Sequence, residues 1–191
     1  MGQLTSICVY CGSSNLVNPD YLKLADALGQ ALAAAGIRLV YGGGGVGLMG
    51  ACARAVHGAG GDVLGIIPRF LLQTERIYDE VPHEIVEDMH TRKQRMFDEC
   101  DAFIVLPGGI GTLEEAVETL SWRRLGLHAK PMAFLDEDAF WAPFFQLTDH
   151  IIEGQFTPEN FRDSLVHVHA PEAAIQALSD RVVQVGDERS R

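Results

Sequence analysis

The stretch Ala102 to Leu120, A-F-I-V-L-P-G-G-I-G-T-L-E-E-A-V-E-T-L, holds one unit of the fold in 19 residues. Its first five residues are a short, uniformly apolar run, as expected of a strand buried on both faces. Pro107 ends the run, and Gly108, Gly109 and Gly111 make a tight loop. Leu113, Ala116, Val117 and Leu120 then recur at i, i+3, i+4 and i+7, the apolar stripe of a helix. Strand, glycine loop and amphipathic helix together are half of a βαβ unit.

The same alternation runs outward in both directions. Candidate strands are Ile7 to Cys11, Ile37 to Tyr41, Val63 to Ile67, His83 to Val86, Pro131 to Leu135 and Leu165 to Val168. Helical periods cover Pro19 to Ala35, Leu48 to Gly58, Thr91 to Cys100, Thr112 to Leu125, Phe140 to Glu153 and Pro171 to Arg181. Strands alternating with helices imply a parallel sheet covered on both faces, so the expected fold is α/β, a Rossmann-like doubly wound sheet. At 191 residues the chain reads as a single domain, 1–191, with a polar, disordered tail at 186–191.

Composition narrows the function classes. Fifteen basic against 26 acidic residues give a net charge of −11, which argues against nucleic acid as a partner. No apolar run approaches the roughly 18 residues of a membrane span, and no basic segment precedes Ile7, so a cytoplasmic protein with no membrane partner is expected. Cys8 and Cys11 form a C-x-x-C pair, but inside a strand and with no second pair, which suits neither a redox helix nor zinc. The histidines fall into no ligand spacing, and His167 and His169 alternate with valines as strand residues do, so no metal is expected.

Three loops at the carboxyl ends of strands suit an anion: Cys11 to Ser14 with Ser13, the run Tyr41 to Gly50 with Gly43, and Pro107 to Thr112. In the second, G-V-G-L-M-G fits the dinucleotide fingerprint G-x-G-x-x-G. That fingerprint belongs after the first strand of its unit, with an acidic residue about 20 positions on. Here it follows the second strand, and the next strand runs into Ile67-Pro68-Arg69-Phe70 with no acid before Glu75. NAD is therefore not expected; the glycines serve close packing or a nucleotide phosphate.

In the helix after Pro107, Glu115 lies nearly opposite the apolar stripe, and Trp122 shares its face. A large aromatic there suggests that a second subunit covers this face. Arg92 and Lys93 lie at the start of another helix, where the macrodipole disfavours cations unless an anion or carboxylate faces them.

With these motifs together, Tyr41-Gly-Gly-Gly, Val46-Gly-Leu-Met-Gly50, Met89-His90 with Arg92-Lys93, P-G-G-I-G-T-L-E-E at 107–115, Trp122 with Leu125-Gly126, and Lys130-Pro131, the sequence resembles the lonely guy (LOG) family. The resemblance spans roughly residues 6 to 170. It implies a cytokinin riboside 5'-monophosphate phosphoribohydrolase, which frees a base and ribose 5-phosphate from a nucleoside 5'-monophosphate, has no cofactor or metal, and acts as a homodimer. It makes Arg92 and Glu115 the catalytic pair. Substrate contacts would come from Glu75, Lys93, Gly108, Gly109, Ile110, Gly111, Thr112, Leu113, Glu114 and Ser121. Ser121 stands where the family often has Thr, Gly45 where Ser is frequent, and Thr91 where Glu is frequent. Such proteins are often labelled lysine decarboxylases, but pyridoxal chemistry needs a lysine free in the cleft, and Lys93 and Lys130 look otherwise employed.

Cleaving an N-glycosidic bond builds positive charge on the ribose, which a carboxylate near C1' stabilises. Placed in the first turn of its helix, Glu115 is expected to be ionised and to play that part, and also to orient the attacking water. Arg92, with no proton to give, would orient Glu115 or hold sugar or phosphate. Met89 and Met96 are either contacts for an N6 substituent or core residues. A nucleotide-binding or molybdenum-cofactor carrier without hydrolysis, and a broad nucleoside-monophosphate nucleosidase, are the alternatives.

Overall fold

The computed structural model describes residues 3–73 and 76–188. Seven strands form one sheet: β1 (Ser6–Tyr10), β2 (Arg38–Tyr41), β3 (Val63–Pro68), β4 (His83–Val86), β5 (Ala102–Val105), β6 (Met132–Leu135) and β7 (Val166–Val168). Every pairing is parallel and the order is β4-β3-β2-β1-β5-β6-β7. Five α-helices lie between them, α1 (Pro19–Ala34), α2 (Gly47–Gly58), α3 (Met89–Asp98), α4 (Ile110–Arg124) and α5 (Ala142–Glu153), and a sixth, α6 (Pro171–Glu188), follows β7; β3 and β4 are joined through a 3-10 segment, Arg69–Gln73. The expected doubly wound α/β sheet is the observed one.

Alternation along the strands divides the core. Ile7, Val9 and Cys11 pack with Leu24, Leu28 and Leu32 of α1, Leu48 and Val56 of α2, and Leu178 of α6. Cys8 and Tyr10 point the other way, toward Met96 of α3, Ala116 and Leu120 of α4, and the aromatics of α5. Because both faces of the central strands are covered, nearly every side chain on them is apolar and buried. Each such aliphatic contributes about 1.5–3 kcal/mol of transfer free energy.

Helix boundaries follow local chemistry. Helix α3 starts at Met89, two residues earlier than its apolar period suggests, because Asp88 caps it and accepts the amide of Thr91 at 2.8 Å. Helix α5 starts at Ala142 rather than Phe140, since Ala139 adopts a left-handed φ of 61° and the Trp141 amide donates to Asp136 Oδ2. Helix α6 continues to Glu188, into the segment read as a polar tail. The last three positions, 189–191, lie outside the described residues.

Strands β1 to β4 step outward in one direction and β5 to β7 in the other. The crossovers therefore diverge between β1 and β5, and a crevice opens at the carboxyl ends of these two strands. The loops after β1 and β5 meet there, with the Gly12 amide donating to the Pro107 carbonyl at 3.1 Å.

Candidate active site

The crevice holds a cleft of about 330 Å³ lined by Gly12, Ser13, Val17, Gly108, Gly109 and Phe140 among others. At its β5 side, α4 begins with Gly109 as N-cap and no side chain capping it. Gly109, Ile110 and Gly111 are exposed, and Ile110 keeps 83% of its surface accessible. The first-turn amides of α4 thus face solvent beside the cleft, a ready place for a phosphate. Thr112 is buried under this turn. Gly108 has to be glycine, because a Cβ there would stand 2.2 Å from Thr112 Oγ1.

The glycine run behaves differently. The start of α2 is filled by its own chain: Gly47 N donates to Asn15 Oδ1 at 2.8 Å, and Leu48 N and Met49 N both donate to the Gly12 carbonyl. A Cβ on Gly47, whose φ is +61°, would lie 2.5 Å from the Ser13 backbone. Gly43, also left-handed, is buried against Ile67 and His83, and its carbonyl oxygen lies 3.2 Å from His83 Nε2. The fingerprint helix offers its amides to the loop after β1, so close packing accounts for these glycines and a phosphate at this turn does not.

Arg92 and Glu115 are brought together. Arg92 Nη1 lies 3.3 Å from Glu115 Oε1, and both side chains are more than nine-tenths buried. The arginine is held at two other points, by Nε to the Ile66 carbonyl at 3.2 Å and by Nη2 to the Gly42 carbonyl at 3.3 Å. It therefore ties the ends of β2 and β3 to α4. Gly42 leaves room for it: a Cβ there would fall 2.0 Å from Nη2. Sequence reading missed this specific need, although the glycine itself was visible in the run.

The orientation of α4 departs from the expected one. Its buried face consists of Thr112, Glu115, Ala116, Thr119 and Leu120, while Val117 is 46% exposed and Leu113 half-buried. Glu115 thus points into the protein, not toward a neighbouring subunit. Trp122 is half-buried and packs edge-on against Phe97 of its own chain, ring centroids 5.5 Å apart. Three of the five buried positions are polar, so the apolar stripe misplaces the face. Thr119 satisfies itself by donating to the Glu115 carbonyl, and the Tyr10 hydroxyl lies 3.1 Å from Thr119 Oγ1.

Burial also changes the protonation expected of Glu115. Desolvation pushes its pKa up to about 7; Arg92 draws it down, and the neighbouring Glu114 pushes it up. The expected first-turn position does not hold either: α4 starts at Ile110, so Glu115 lies beyond the first turn, where the dipole is weak, and burial governs its protonation. Lys93 sits 2.7 Å from Glu114 and 2.8 Å from Glu118. Burial works against its charge, but the two carboxylates prevail and raise its pKa.

Of the other predicted contacts, Ser13 lies on the cleft wall. Ser121 is exposed on the outer side of α4, in a groove with Val117, Leu147 and Phe161, away from Arg92. Glu75 lies outside the described residues. Met96 is core, whereas Met89 borders the site with Sδ 3.9 Å from Arg92 Nη1.

Residues 49–178 match the family model described as "Possible lysine decarboxylase". The probable cytokinin riboside 5'-monophosphate phosphoribohydrolase LOGL2 of Oryza sativa subsp. japonica is 43% identical over 91% of this chain and 72% of its own length. The cytokinin riboside 5'-monophosphate phosphoribohydrolase LOG7 of Arabidopsis thaliana is 45% identical over 91% and 81%. The chain belongs to the LOG family.

Among solved structures, the molybdenum cofactor carrier protein of Chlamydomonas reinhardtii matches with a TM-score of 0.72 at 20% identity, covering 95% of this chain and 99% of that one. The molybdenum cofactor binding protein of Rippkaea orientalis gives 0.70 at 23%, covering 93% and 97%. At such identities the likeness is one of fold.

Two features of this LOG chain bear on the family pattern. Gly45 stands where Ser is frequent, and a Cβ there would lie 2.7 Å from the Ile77 backbone, so the segment at 76–78 leaves no room for the larger residue. Neither lysine considered for pyridoxal chemistry is free: Lys93 is doubly ion-paired, and Lys130 donates to the Phe97 carbonyl and lies over the Phe97 ring.

Proposed function

We propose that this protein hydrolyses the N-glycosidic bond of N6-substituted adenosine 5'-monophosphates, yielding the free base and ribose 5-phosphate. The C1'–N9 bond breaks, the oxygen of water bonds to C1', and a water proton goes to the departing base. One observation carries the reading: a buried Arg92–Glu115 pair stands at the end of a helix whose first turn is open to an anion. The relatives' activity agrees with it.

The phosphate binds the first-turn amides of α4 between Gly109 and Thr112, with Gly108 keeping the loop close. Lys93, bound to Glu114 and Glu118, offsets part of their negative charge beside the phosphate. Anchoring the phosphate spends remote binding energy on placing C1' against Glu115. There the ionised carboxylate stabilises the oxocarbenium-like transition state and aligns water. Arg92 fixes the carboxylate in place. A positive ribose facing Glu115 favours its ionised form, which offsets the burial that otherwise raises its pKa.

A homodimer suits the exposed apolar residues on α4, α5 and nearby, Val117, Leu125, Leu127 and Leu147. Ser121, on the same outer side, then meets a nucleotide only through an arrangement of two chains. Four cysteines, all free and buried, suit a cytoplasmic protein, and among the described residues no helix is long and apolar enough to cross a membrane.

The test is chromatography of the pure protein with N6-isopentenyladenosine 5'-monophosphate, AMP and other monophosphates. Release of isopentenyladenine faster than of adenine is expected. Equal release from all monophosphates would make it a broad nucleosidase, and binding without any released base would make it a carrier.

A further inference from the structure

At the carboxyl end of β6, well to one side of the Arg92–Glu115 pair, lies a second group of polar side chains that the proposed reaction does not use. Asp136 is completely buried, yet among the described residues no lysine or arginine lies in ion-pair contact with it. Such a carboxylate is costly unless a cation or several donors face it. One oxygen, Oδ2, accepts the Trp141 amide at 2.7 Å. The other, Oδ1, faces two imidazoles: His167 Nε2 at 3.0 Å and His169 Nδ1 at 3.6 Å. His169 Nδ1 also lies 2.8 Å from the Asp136 carbonyl oxygen.

Strand geometry builds this group. His167 and His169 are two residues apart along β7 and its extension, so the pleat puts both on one side. The register Leu135 opposite Val168 brings the residue after β6 beside the end of β7. Ligand-type atoms of all three residues lie within 4.8 Å of one another, the one such group among the described residues.

We propose that Asp136, His167 and His169 form a binding site for a divalent transition-metal ion, zinc above all. Zinc bonds of about 2.0–2.1 Å meeting tetrahedrally place ligand atoms about 3.3 Å apart, and the distances here, 3.0 and 3.6 Å, bracket that value. Two imidazoles and a carboxylate are zinc ligands by type, and harder ions such as magnesium prefer all-oxygen sites. The ion replaces the proton between His167 Nε2 and Asp136 Oδ1, and His169 Nδ1 gives up its hydrogen bond to the Asp136 carbonyl to bind it. His167 then carries its proton on Nδ1 and His169 on Nε2, and both rings stay neutral.

The surroundings support a bound ion. The Trp141 amide orients the carboxylate, as a second layer of ligands does in metal sites. The Phe145 ring packs on His167 with centroids 4.7 Å apart. His169 is 66% exposed, which leaves an entry path and a place for water as fourth ligand. Asp138, held by the Tyr21 hydroxyl, adds negative charge close by in sequence. The ion pins the 137–141 turn, which presents Phe140 to the cleft.

The full chain, stripped of metal and dialysed against zinc, is expected to hold one zinc per chain by elemental analysis. Either His167→Gln or His169→Gln should weaken uptake at least about tenfold, and the double variant should abolish it. Cobalt(II) should give visible absorption of low-coordinate nitrogen and oxygen ligation in the wild type alone. Zinc should raise the melting temperature of the wild type and leave that of the double variant unmoved. His57→Gln with His150→Gln, remote histidines, should keep full uptake. If the double variant does not fold, His169→Gln, at an exposed position, carries the test alone. Wild type that takes up no zinc, or uptake and cobalt absorption that survive loss of both histidines, overturns the site.

Discussion

Helices α2 and α4 begin alike and end up in opposite states. Each follows a strand of the same parallel sheet through a glycine-rich loop, and each was a candidate phosphate cradle by sequence. At α2 the amides of Gly47, Leu48 and Met49 are taken by Asn15 and by the Gly12 carbonyl. At α4 Gly109 caps nothing with a side chain, and the first turn faces solvent. Glycine content lets a backbone come close. Whether a ligand or the chain itself arrives is decided by the segment opposite, which lies 32 residues away from Gly47 in the case of Asn15.

The largest effect separating the two ends belongs to Glu115, which only the α4 end possesses. Glu115→Gln is expected to lower kcat at least about 100-fold with KM nearly unchanged, since it removes charge developed against the transition state and not phosphate binding. In the wild type kcat/KM should rise with pH through about 7, the pKa to which burial brings Glu115, and this limb should vanish in the variant. Stability should move the opposite way. A folded pKa above the unfolded value of about 4.5 means that the contribution is complete below pH 4.5 and lost as pH rises through 7. Relative to Glu115→Gln, the wild type should therefore lose about 3 kcal/mol between pH 4.5 and alkaline pH. Urea melts at the two pH values measure it, and parallel curves would show that Glu115 is not desolvated.

Next in size is Gly42→Ala, at the glycine run's one link to the Arg92–Glu115 pair. The new methyl would lie 2.0 Å from Arg92 Nη2, so the guanidinium has to leave its bonds to Gly42 and Ile66. Turnover should fall about 10- to 100-fold, as it does when supporting contacts of a catalytic group are disturbed. Unchanged turnover would mean that Arg92 need not sit where it does.

The legible parts of this molecule were those set by local pattern. Uniformly apolar central strands gave away a sheet buried on both faces, and each of the seven strands overlaps the apolar run expected for it. The α4 face was misread because Thr112, Glu115 and Thr119 are polar and still point inward. The partners of Glu115 and Thr119, namely Arg92, Tyr10 and the helix backbone, are remote in sequence or are not side chains at all. Asn15 gave no signal for the same reason. A polar residue in a loop reads as solvated until the helix end it closes is known. The histidines of β7 read as strand residues, correctly for His167, but their meeting with Asp136 depends on β6–β7 register, which no local pattern carries.

A smaller effect should follow from closing the open end. At Gly109 an added Cβ meets nothing within 4 Å and the backbone is extended, so Gly109→Asp fits as an N-cap. It should stabilise α4 by roughly 0.5–1 kcal/mol through the cap and the dipole. The same carboxylate repels phosphate, and KM for the nucleotide should rise about tenfold with kcat changed little. A variant that is more stable and binds the substrate as well as before would move the phosphate away from this turn.

The smallest effect comes from opening the closed end. Asn15→Ala removes the side chain that holds the Gly47 amide, and a lost cap costs about 0.5–2 kcal/mol. The two bonds from Leu48 and Met49 to the Gly12 carbonyl remain, so α2 stays anchored and the cleft keeps its shape. Stability should drop by that amount in denaturant titration, while kcat/KM stays within about twofold. The contrast with Gly109→Asp is what gives the measurement its force: one substitution gains stability and loses affinity, and the other loses stability alone. If Asn15→Ala instead weakens nucleotide binding as strongly as Gly109→Asp, the start of α2 is itself part of the substrate site, and the difference between the two helix ends is one of degree.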